Sequence, residues 1–279
     1  MTITADDFAW VSNLVQQRAG IQLEPGKEYL VESRLIPVAK RHGRSGLGDL
    51  VQLLRSYPDR EIVNDLIEAM TTNETSFFRD VAPFEALRKT ILPRLVQRRS
   101  ARRRLRIWCA ASSSGQEPYS LGILLLEHFP EVAKSWDFRF LATDLSRHMV
   151  QRCLLGEYTR FEVGRGLSPQ LRERYFEPRD NSFVVVEPLR RLVEFRTMNL
   201  CEPWPSMEAQ DLVLVRNVMI YFDVPTKQRI LQQVRRILQP DGFVLLGTAE
   251  SMSYMQNEFE REALEGTSVY SPTALPKTK

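Results

Sequence analysis

The sequence predicts a helical N-terminal domain followed by an α/β domain built on a parallel sheet with helices on both faces. In roughly the first seventy residues, apolar side chains recur at helical spacing without the alternation typical of strands. From Leu105 onwards, short apolar runs alternate with helical patterns, which is the order expected of a parallel sheet. The length of 279 residues accommodates two domains of ordinary size.

Four helical patterns make up the predicted N-terminal domain. Thr4 is suited to cap the first pattern, and the glycines from Gly43 to Gly48 break the chain after the second. Two further patterns then follow, the last of which ends near Met70. The basic residues of this domain are either ordinary surface charge or a face for an acidic partner. They include Arg34, Lys40, Arg41 and Arg44.

The α/β domain begins after an amphipathic helix predicted from Val81 to Leu95. Five strands and three helices follow from the apolar runs and their spacing. The predicted strands are Leu105–Ala110, Phe138–Thr143, Val193–Met198, Asp211–Arg216 and Phe243–Gly247, and the helices are Tyr119–His128, Ser146–Leu155 and Pro225–Leu238.

A stretch from Gly156 to Glu194 interrupts this alternation. It contains two strand-like runs, 183–186 and 192–195, which predict a small antiparallel insertion. We therefore expect a helical domain at 1–70, a linker motif and connecting helix at 71–90, and the α/β domain at 91–272 with its insertion at 156–194. The polar tail at 273–279 is predicted to be disordered.

Composition and charge limit the classes of function. The net charge of +3 is too small for a dedicated nucleic-acid binder. The arginine-rich stretch from Arg98 to Arg106 is either a solvated helix end and loop or a local patch for an anionic partner. No apolar run approaches the roughly 20 residues of a membrane span. Three scattered cysteines without metal-ligand spacing are typical of a reducing cytosol.

The junction between the first strand and its helix is the most informative stretch. Five small residues, Ala110 to Ser114, precede Gly115, and Glu117 opens the helical pattern. Small side chains let a ligand approach the backbone, but the loop lacks the three glycines of a dinucleotide fingerprint. Glu117 would repel a phosphate and attract a cation. The alternative is an ordinary joint in which Glu117 favours the helix dipole.

Polar residues also follow the later strands, where ligands of α/β sheets bind. Asp144 stands at the end of the second strand, where it can accept two ribose hydroxyls, or it or Ser146 can cap the next helix. Asn199 and Asn217 follow two other strands. One buried asparagine alone often only ties down a loop, but several polar groups at corresponding strand ends favour a cleft.

Four motifs in order make the chain similar to the CheR family, the chemotaxis-receptor methyltransferases that use S-adenosylmethionine. They are MTTNETSFFRD from Met70, WCAASSSGQEPYSL from Trp108, ATDLS from Ala142 and RNVMIYFD from Arg216. The resemblance covers nearly the whole chain. It implies a class I S-adenosylmethionine-dependent methyltransferase domain, Rossmann-like, with a small inserted antiparallel β-subdomain and an all-α N-terminal domain before it.

The resemblance also implies which residues contact the cofactor. The first loop departs from the family's usual form at Ser112, Ser114 and Gln116, but Glu117 is kept. The implied cofactor-binding residues are Asn73, Thr75, Arg79, Glu117, Asp144, Asn199, Leu200, Asn217 and Val218.

The family's reaction is methyl transfer to glutamate side chains on a receptor's cytoplasmic helices, with S-adenosylhomocysteine as the other product. A glutamate with a pKa of about 4.3 is already ionised near neutral pH, so we expect neither a general base nor a metal. Arg79 and Tyr221 are expected to orient the acceptor carboxylate. Arg79 can equally hold the carboxylate of the cofactor, and Tyr221 can be a packed aromatic beside Phe222.

The resemblance implies a receptor partner, docked through Arg34, Lys40, Arg41 and Arg44. The stretch Glu177–Ser182 is short and lacks glycine, so we expect no requirement for a receptor C-terminal pentapeptide. We expect a cytoplasmic monomer that neither binds nucleic acid nor inserts into a membrane. The alternatives are a methyltransferase for another protein or for nucleic acid, and a non-catalytic cofactor sensor.

Overall fold

The computed structural model describes residues 3–273, which form two compact units. The helical unit runs to Thr72 and also includes the segments Asn199–Glu202 and Tyr221–Lys227. The α/β unit holds the remaining described residues. The tail predicted to be disordered lies, apart from Thr273, outside the described residues. Between residues 3 and 273, no helix combines the length and the apolar character that crossing a bilayer requires.

The helical unit is built on four helices. Thr4 caps the first by accepting a hydrogen bond from Asp7 N, as predicted, and Asp59 caps the fourth. Each helix buries one apolar face, so the core of the unit forms between them. The helices are α1 Ala5–Ala19, α2 Glu28–Arg41, α3 Leu47–Ser56 and α4 Arg60–Met70.

Two segments distant in sequence pack within the same unit. The Asn199 side chain donates from Nδ2 to the carbonyl oxygen of Arg18 at 2.7 Å. Gln22 N donates to the carbonyl oxygen of Tyr221 at 3.0 Å. A Cβ at Gly20, which ends α1 with a φ of 70°, would lie 2.7 Å from Cys201 Sγ. Glycine is therefore required where the 199–202 segment meets α1.

A seven-stranded sheet forms the centre of the α/β unit, in the order β6-β2-β1-β7-β8-β10-β9. The first five strands in this order are parallel, and β10 runs antiparallel to both β8 and β9. The predicted fold class is confirmed, although the terminal β9–β10 hairpin was not predicted. The strands are β1 Arg104–Ala110, β2 Asp137–Asp144, β6 Glu194–Thr197, β7 Gln210–Val215, β8 Leu238–Leu246, β9 Phe259–Leu264 and β10 Thr267–Pro272.

Helical segments precede and join these strands. The helix predicted from Val81 to Leu95 is present, with a π-helical turn at Leu87–Ile91 between α5 and α6. The segments are α5 Val81–Ala86, α6 Leu92–Arg99, α7 Gln116–His128, α8 Pro130–Ser135, α9 Arg147–Leu155, α10 Arg160–Gly164, α11 Pro169–Tyr175, α12 Glu187–Arg190 and α13 Val224–Ile237.

The insertion carries a three-stranded antiparallel sheet in the order β3-β5-β4. Its strands are β3 Glu157–Thr159, β4 Phe176–Arg179 and β5 Ser182–Val185. The run at 192–195 does not join this sheet, so its assignment to the insertion was wrong, whereas the strand also predicted at Val193–Met198 is confirmed as β6 of the main sheet. The short helix α12, with Pro188 in its first turn, separates that run from β5, and β6 then pairs in parallel with β2.

In the arginine-rich stretch, Arg99 and Arg106 form internal ion pairs, whereas Arg98, Arg102, Arg103 and Arg104 are exposed. Arg99 bonds to Asp211 and Asp241, and Arg106 bonds to Asp137 and Glu208. Arg106 is only 3% exposed. Neither interpretation of the sequence holds for these two arginines, because both are occupied by carboxylates of the protein itself.

Candidate functional site

The loop after β1 has an unusual backbone. Ala111, Ser113 and Gly115 have φ values of 56°, 49° and 93°, so left-handed residues alternate with ordinary ones. Ser112 N donates to the carbonyl oxygen of Thr143 at 2.9 Å, which holds the loop against the end of β2. Small side chains tolerate this course best, which explains the run of alanine and serine.

Gly115, the one glycine of this loop, is needed for close packing. A Cβ there would lie 2.9 Å from the Tyr158 hydroxyl oxygen and 3.0 Å from Cys153 Sγ. The same tyrosine donates from its hydroxyl to the carbonyl oxygen of Ser114 at 2.7 Å. The insertion therefore supports the loop directly through Tyr158.

Asp144 joins the ends of two strands. Its Oδ2 accepts a hydrogen bond from Ser113 N at 2.7 Å, and its Oδ1 accepts one from Ser146 N at 2.9 Å. Ser146, not Asp144, caps α9, because its side chain accepts from Met149 N. Asp144 is thus a buried carboxylate that links the loop after β1 to the turn after β2.

The linker motif lies against the same loop. Ser113 Oγ donates to the carbonyl oxygen of Asn73 at 2.8 Å, and Phe78 N donates to Ser120 Oγ at 2.9 Å. Arg79 donates from Nη1 to the carbonyl oxygen of Glu74 at 2.8 Å, and Thr75 between them is half-buried.

Glycine is also required where the linker meets the insertion. A Cβ at Gly166, whose φ is 95°, would stand 1.8 Å from the carbonyl oxygen of Phe77. Phe77 is itself buried, and its ring stacks edge-on against Tyr158 and Phe176. Backbone contact and aromatic packing together hold the linker beside the loop.

Glu117 forms a buried ion pair that the sequence analysis did not predict. Its Oε2 accepts from Arg216 Nη1, and its Oε1 accepts from the Cys109 thiol at 3.2 Å. Arg216 also donates to the carbonyl oxygen of Arg79 at 3.0 Å and to Asp80 Oδ2 at 3.1 Å. The Arg216 guanidinium thus connects α7, which carries Glu117, with the end of β7 and the linker motif.

The charges in this cluster do not cancel. Two carboxylates, Glu117 and Asp80, share the single guanidinium of Arg216, so the three groups keep a net negative charge. Burial, reinforced by the neighbouring Glu117 carboxylate, raises the pKa of Cys109 well above its usual value. The thiol is therefore neutral and donates its hydrogen to Glu117.

Asn217 follows Arg216 in a strained conformation with a φ of 57°. Its backbone N donates to Glu250 Oε2 at 2.7 Å. The next residue, Val218, is half-buried and leads into a single turn of 3₁₀ helix at Met219–Tyr221. Asparagine adopts the left-handed conformation more readily than most other non-glycine residues, which suits it to turn the chain after β7.

Comparison with known proteins identifies the family. The profile of the family described as "CheR methyltransferase, SAM binding domain" matches residues 73–267, and that of "CheR methyltransferase, all-alpha domain" matches residues 6–71. The chain belongs to the CheR methyltransferase family.

Curated relatives in the CheR family are similar over almost the whole chain. "Chemotaxis protein methyltransferase Cher2" of Pseudomonas putida is 37% identical over 257 residues, which are 91% of this chain and 93% of that protein. A "Chemotaxis protein methyltransferase" of Vibrio parahaemolyticus is 38% identical and covers 93% of this chain and 94% of its own length. "Chemotaxis protein methyltransferase 1" of Pseudomonas aeruginosa is also 38% identical, over 93% of this chain and 95% of its own.

The structure places the predicted CheR-type site residues in two groups. Asn73, Thr75, Arg79, Glu117, Asp144, Asn217 and Val218 lie in the α/β unit, at the linker and at the carboxyl ends of β1, β2 and β7. Asn199, Leu200 and Tyr221 belong to the helical unit. For every one of these residues, contact with the cofactor or the substrate stays a prediction.

Arg216 is the site residue that the sequence analysis missed. It was assigned only to the end of a strand, although it opens the motif RNVMIYFD. A charged residue at the end of an otherwise apolar strand is itself a signal, because a buried arginine needs a carboxylate partner. The identity of that partner, 99 residues away in sequence, could not be found from spacing.

The residues present fit S-adenosylmethionine. Arg216 is 1% exposed at its side chain, and its Nε has no hydrogen-bond partner within residues 3–273. A buried donor left in this way is costly unless a bound group accepts from it. S-adenosylmethionine offers a carboxylate for such a donor, and its sulfonium and ammonium groups suit the net negative charge of the cluster.

Proposed function

We propose that this CheR-family protein methylates glutamate side chains on the cytoplasmic helices of chemoreceptors, and that it acts in the cytoplasm. The proposal rests on the printed names of its relatives and on one structural observation. At the carboxyl edge of the sheet, Asp144 and the Glu117–Arg216–Asp80 cluster stand beside the loop after β1, whose single glycine is used for packing. Such an edge suits a cationic, phosphate-free cofactor.

The chain's own residues have distinct roles in this proposal. S-adenosylmethionine supplies an electrophilic methyl group on a sulfonium. Two backbone N–H groups donate to the Asp144 carboxylate and fix its direction at the end of β2, where it is proposed to accept the ribose hydroxyls. Glu117, held by Arg216, faces the cationic part of the cofactor.

The acceptor needs orientation more than activation. A glutamate carboxylate is ionised near neutral pH, so no base has to remove a proton before attack. Arg79 donates from Nη1 to the carbonyl oxygen of Glu74, and its other guanidinium N–H groups can donate to an anionic oxygen. Tyr221 remains a proposed second orienting group. A water-poor, fixed arrangement favours a step in which an anion and a cation merge.

Not all four residues that were predicted to dock the receptor are equally available for it. Arg34 donates to the carbonyl oxygens of Met70 and Thr71 at 2.8 and 2.9 Å, so its guanidinium holds the end of α4. Arg41 pairs with Asp65 but is 64% exposed at its side chain, and Lys40 is exposed. We therefore propose that Lys40 and Arg41 carry the attraction to an acidic receptor helix, with Arg44 beside them.

The insertion supports the proposal that no receptor pentapeptide is required. β4 and β5 pair from Arg179 opposite Ser182, so only Asp180 and Asn181 form the turn of this hairpin. Asp180 takes the left-handed conformation with a φ of 47°. The hairpin thus has no extended loop with which to hold a peptide.

Transfer of a labelled methyl group to receptor-containing membranes tests the function. We expect base-labile labelling of the receptor by the wild-type protein, because glutamate methyl esters hydrolyse in base. Arg79→Ala should lower this labelling sharply. Arg102→Ala, which removes an exposed arginine, is the matched control and should leave it unchanged.

Labelling that goes instead to nucleic acid, or no labelling at all, would contradict the proposal. Charge reversal at Lys40 and Arg41 should weaken receptor binding while cofactor affinity is kept. Loss of both together would mean that the variant is misfolded and not that docking has failed.

A further inference from the structure

Glu250 lies in the turn that follows β8 and binds the ends of two strands. The turn runs from Gly247 to Glu250 and is closed by a hydrogen bond from Glu250 N to the carbonyl oxygen of Gly247 at 2.9 Å. Oε2 of the side chain accepts from Asn217 N and from Gly247 N, each at 2.7 Å. Oε1 accepts a longer bond from Ile220 N at 3.3 Å.

These backbone groups lie just beyond the paired part of the sheet. β7 and β8 are parallel, and the last pair in their register is Val215 with Leu246. The N–H groups that follow have no partner in the ladder, yet buried N–H groups need an acceptor. A single carboxylate accepts from two of them, Asn217 N and Gly247 N, and from the exposed Ile220 N further along, and so fixes the direction in which the chain leaves β7.

Close packing makes this arrangement specific. A Cβ at Gly247 would lie 2.6 Å from Asn217 Nδ2 and 2.8 Å from Glu250 Oε2. The absence of a side chain at Gly247 therefore lets the asparagine side chain and the carboxylate occupy the same corner. Glu250 accepts a hydrogen bond from the backbone N of Asn217, and the Asn217 side chain packs directly against Gly247.

We propose that Glu250 is a positioning residue, which fixes the strained backbone of Asn217 and the turn to Ile220 so that this edge of the sheet is preformed for S-adenosylmethionine. The inference rests on the proposed function, because Asn217 is one of the expected cofactor contacts. Glu250 acts through the backbone of Asn217, and no contact with the reacting atoms is required of it.

Two variants separate positioning from simple loss of structure. Glu250→Ala removes all three acceptor contacts. Glu250→Gln keeps the length of the side chain and can place its one oxygen against Asn217 N and Gly247 N, while the amide nitrogen faces Ile220 N. Glu260→Ala is the matched control, because Glu260 is exposed on β9 and takes no part in these contacts.

Calorimetric titration with S-adenosylmethionine gives the first readout. We expect Glu250→Ala to weaken cofactor binding at least tenfold, Glu250→Gln to recover most of that loss, and Glu260→Ala to bind like the wild type. In methyl transfer, the KM for the cofactor should rise while the KM for the receptor stays the same. Binding by Glu250→Ala within twofold of the wild type would overturn the proposal. If Glu250→Ala does not fold, a loss of cofactor binding of tenfold or more in folded Glu250→Gln, which keeps the acceptor oxygen for Asn217 N and Gly247 N, would overturn the proposal instead.

Amide hydrogen exchange gives a readout that does not depend on the cofactor. The amides of Asn217 and Gly247 should exchange faster in Glu250→Ala than in the wild type and stay slow in Glu260→Ala. If the wild type fails to bind S-adenosylmethionine, the proposed function fails while exchange still decides whether Glu250 holds the turn. Unchanged exchange at both amides would refute the positioning role itself.

Discussion

Replacement of Arg216 by methionine should strongly destabilise the α/β unit. The side chain is 1% exposed, and its partner Glu117 is 11% exposed. Methionine keeps much of the apolar volume that packs against the Phe84 ring but provides no charge. The variant therefore leaves the Glu117 carboxylate buried beside a neutral thiol, with its cationic partner removed.

The magnitude follows from the burial of the pair. Removal of one partner of a buried ion pair costs about 3–5 kcal/mol, because the other charge stays desolvated. The bond from Arg216 to the carbonyl oxygen of Arg79 is lost as well, so the linker loses a support. Addition of Glu117→Gln to this variant should restore part of the stability, because it removes the unpaired charge.

Urea unfolding followed by tryptophan fluorescence measures this change, because Trp108 is fully buried in β1 next to the loop. Arg104→Met is the matched control, since that arginine is 58% exposed and its pair with Asp137 lies at the surface. Such surface pairs contribute about 0–1 kcal/mol. Equal urea midpoints for Arg216→Met and Arg104→Met would show that Arg216 and Glu117 do not form a stabilising buried pair. No recovery of the midpoint when Glu117→Gln is added to Arg216→Met would show the same.

Two further predictions concern a glycine and an ion pair. Gly166→Ala should lower the melting temperature and weaken cofactor binding, because its Cβ would meet the Phe77 carbonyl oxygen at 1.8 Å, whereas Gly164→Ala meets nothing within 4 Å and should be tolerated. Similar melting curves for the two variants would contradict this. Hydrogen bonds from Arg106 lower the pKa of Asp137 from 3.8 to about 2, so its contribution to stability is complete above pH 4 and is lost as the pH falls towards 2. Asp137→Asn should flatten that part of the pH profile of the urea midpoint, and an unchanged slope would show that the pair contributes nothing.

The buried part of the sheet could be predicted closely from sequence. The strand predicted at Leu105–Ala110 is β1, which begins one residue earlier, and that predicted at Asp211–Arg216 is β7, which begins and ends one residue earlier. Both are buried on two faces, and each contains a continuous apolar run, Ile107–Ala110 in β1 and Leu212–Val215 in β7. Such runs can be recognised from the sequence alone, because a continuous apolar stretch indicates a buried strand without knowledge of the strands that pair with it.

The edge of the sheet could not be predicted in the same way. β9 pairs with β10, and Phe259 is its one buried residue, while Glu260, Arg261 and Glu262 follow as a run of charges. A short strand that is rich in charge and lacks clear alternation is hard to tell from an exposed helix or loop without its partner. The misplacement of the 192–195 run has a related cause, because its pairing with β2 depends on how α12 turns the chain.

The positions of candidate site residues were predictable where the chain itself brings them to a strand end. Asp144 and Asn217 directly follow or end parallel strands, so the topology alone places them on the binding edge. The bonds that orient them come from residues far away in sequence, such as Ser113 for Asp144 and Glu250 for Asn217. Periodicity carries no information about those partners.

The loop after β1 shows how a glycine can mislead when it is considered alone. In a dinucleotide fold, glycines at this turn admit a pyrophosphate to the backbone. Here the Tyr158 hydroxyl and the Cys153 thiol already occupy the space beside Gly115, so this glycine serves packing within the protein. Without a phosphate to repel, a carboxylate is tolerated at the start of α7, and Arg216 offsets only part of the negative charge because Glu117 and Asp80 share its guanidinium. The remaining negative charge distinguishes a site for a cationic cofactor from one for a nucleotide.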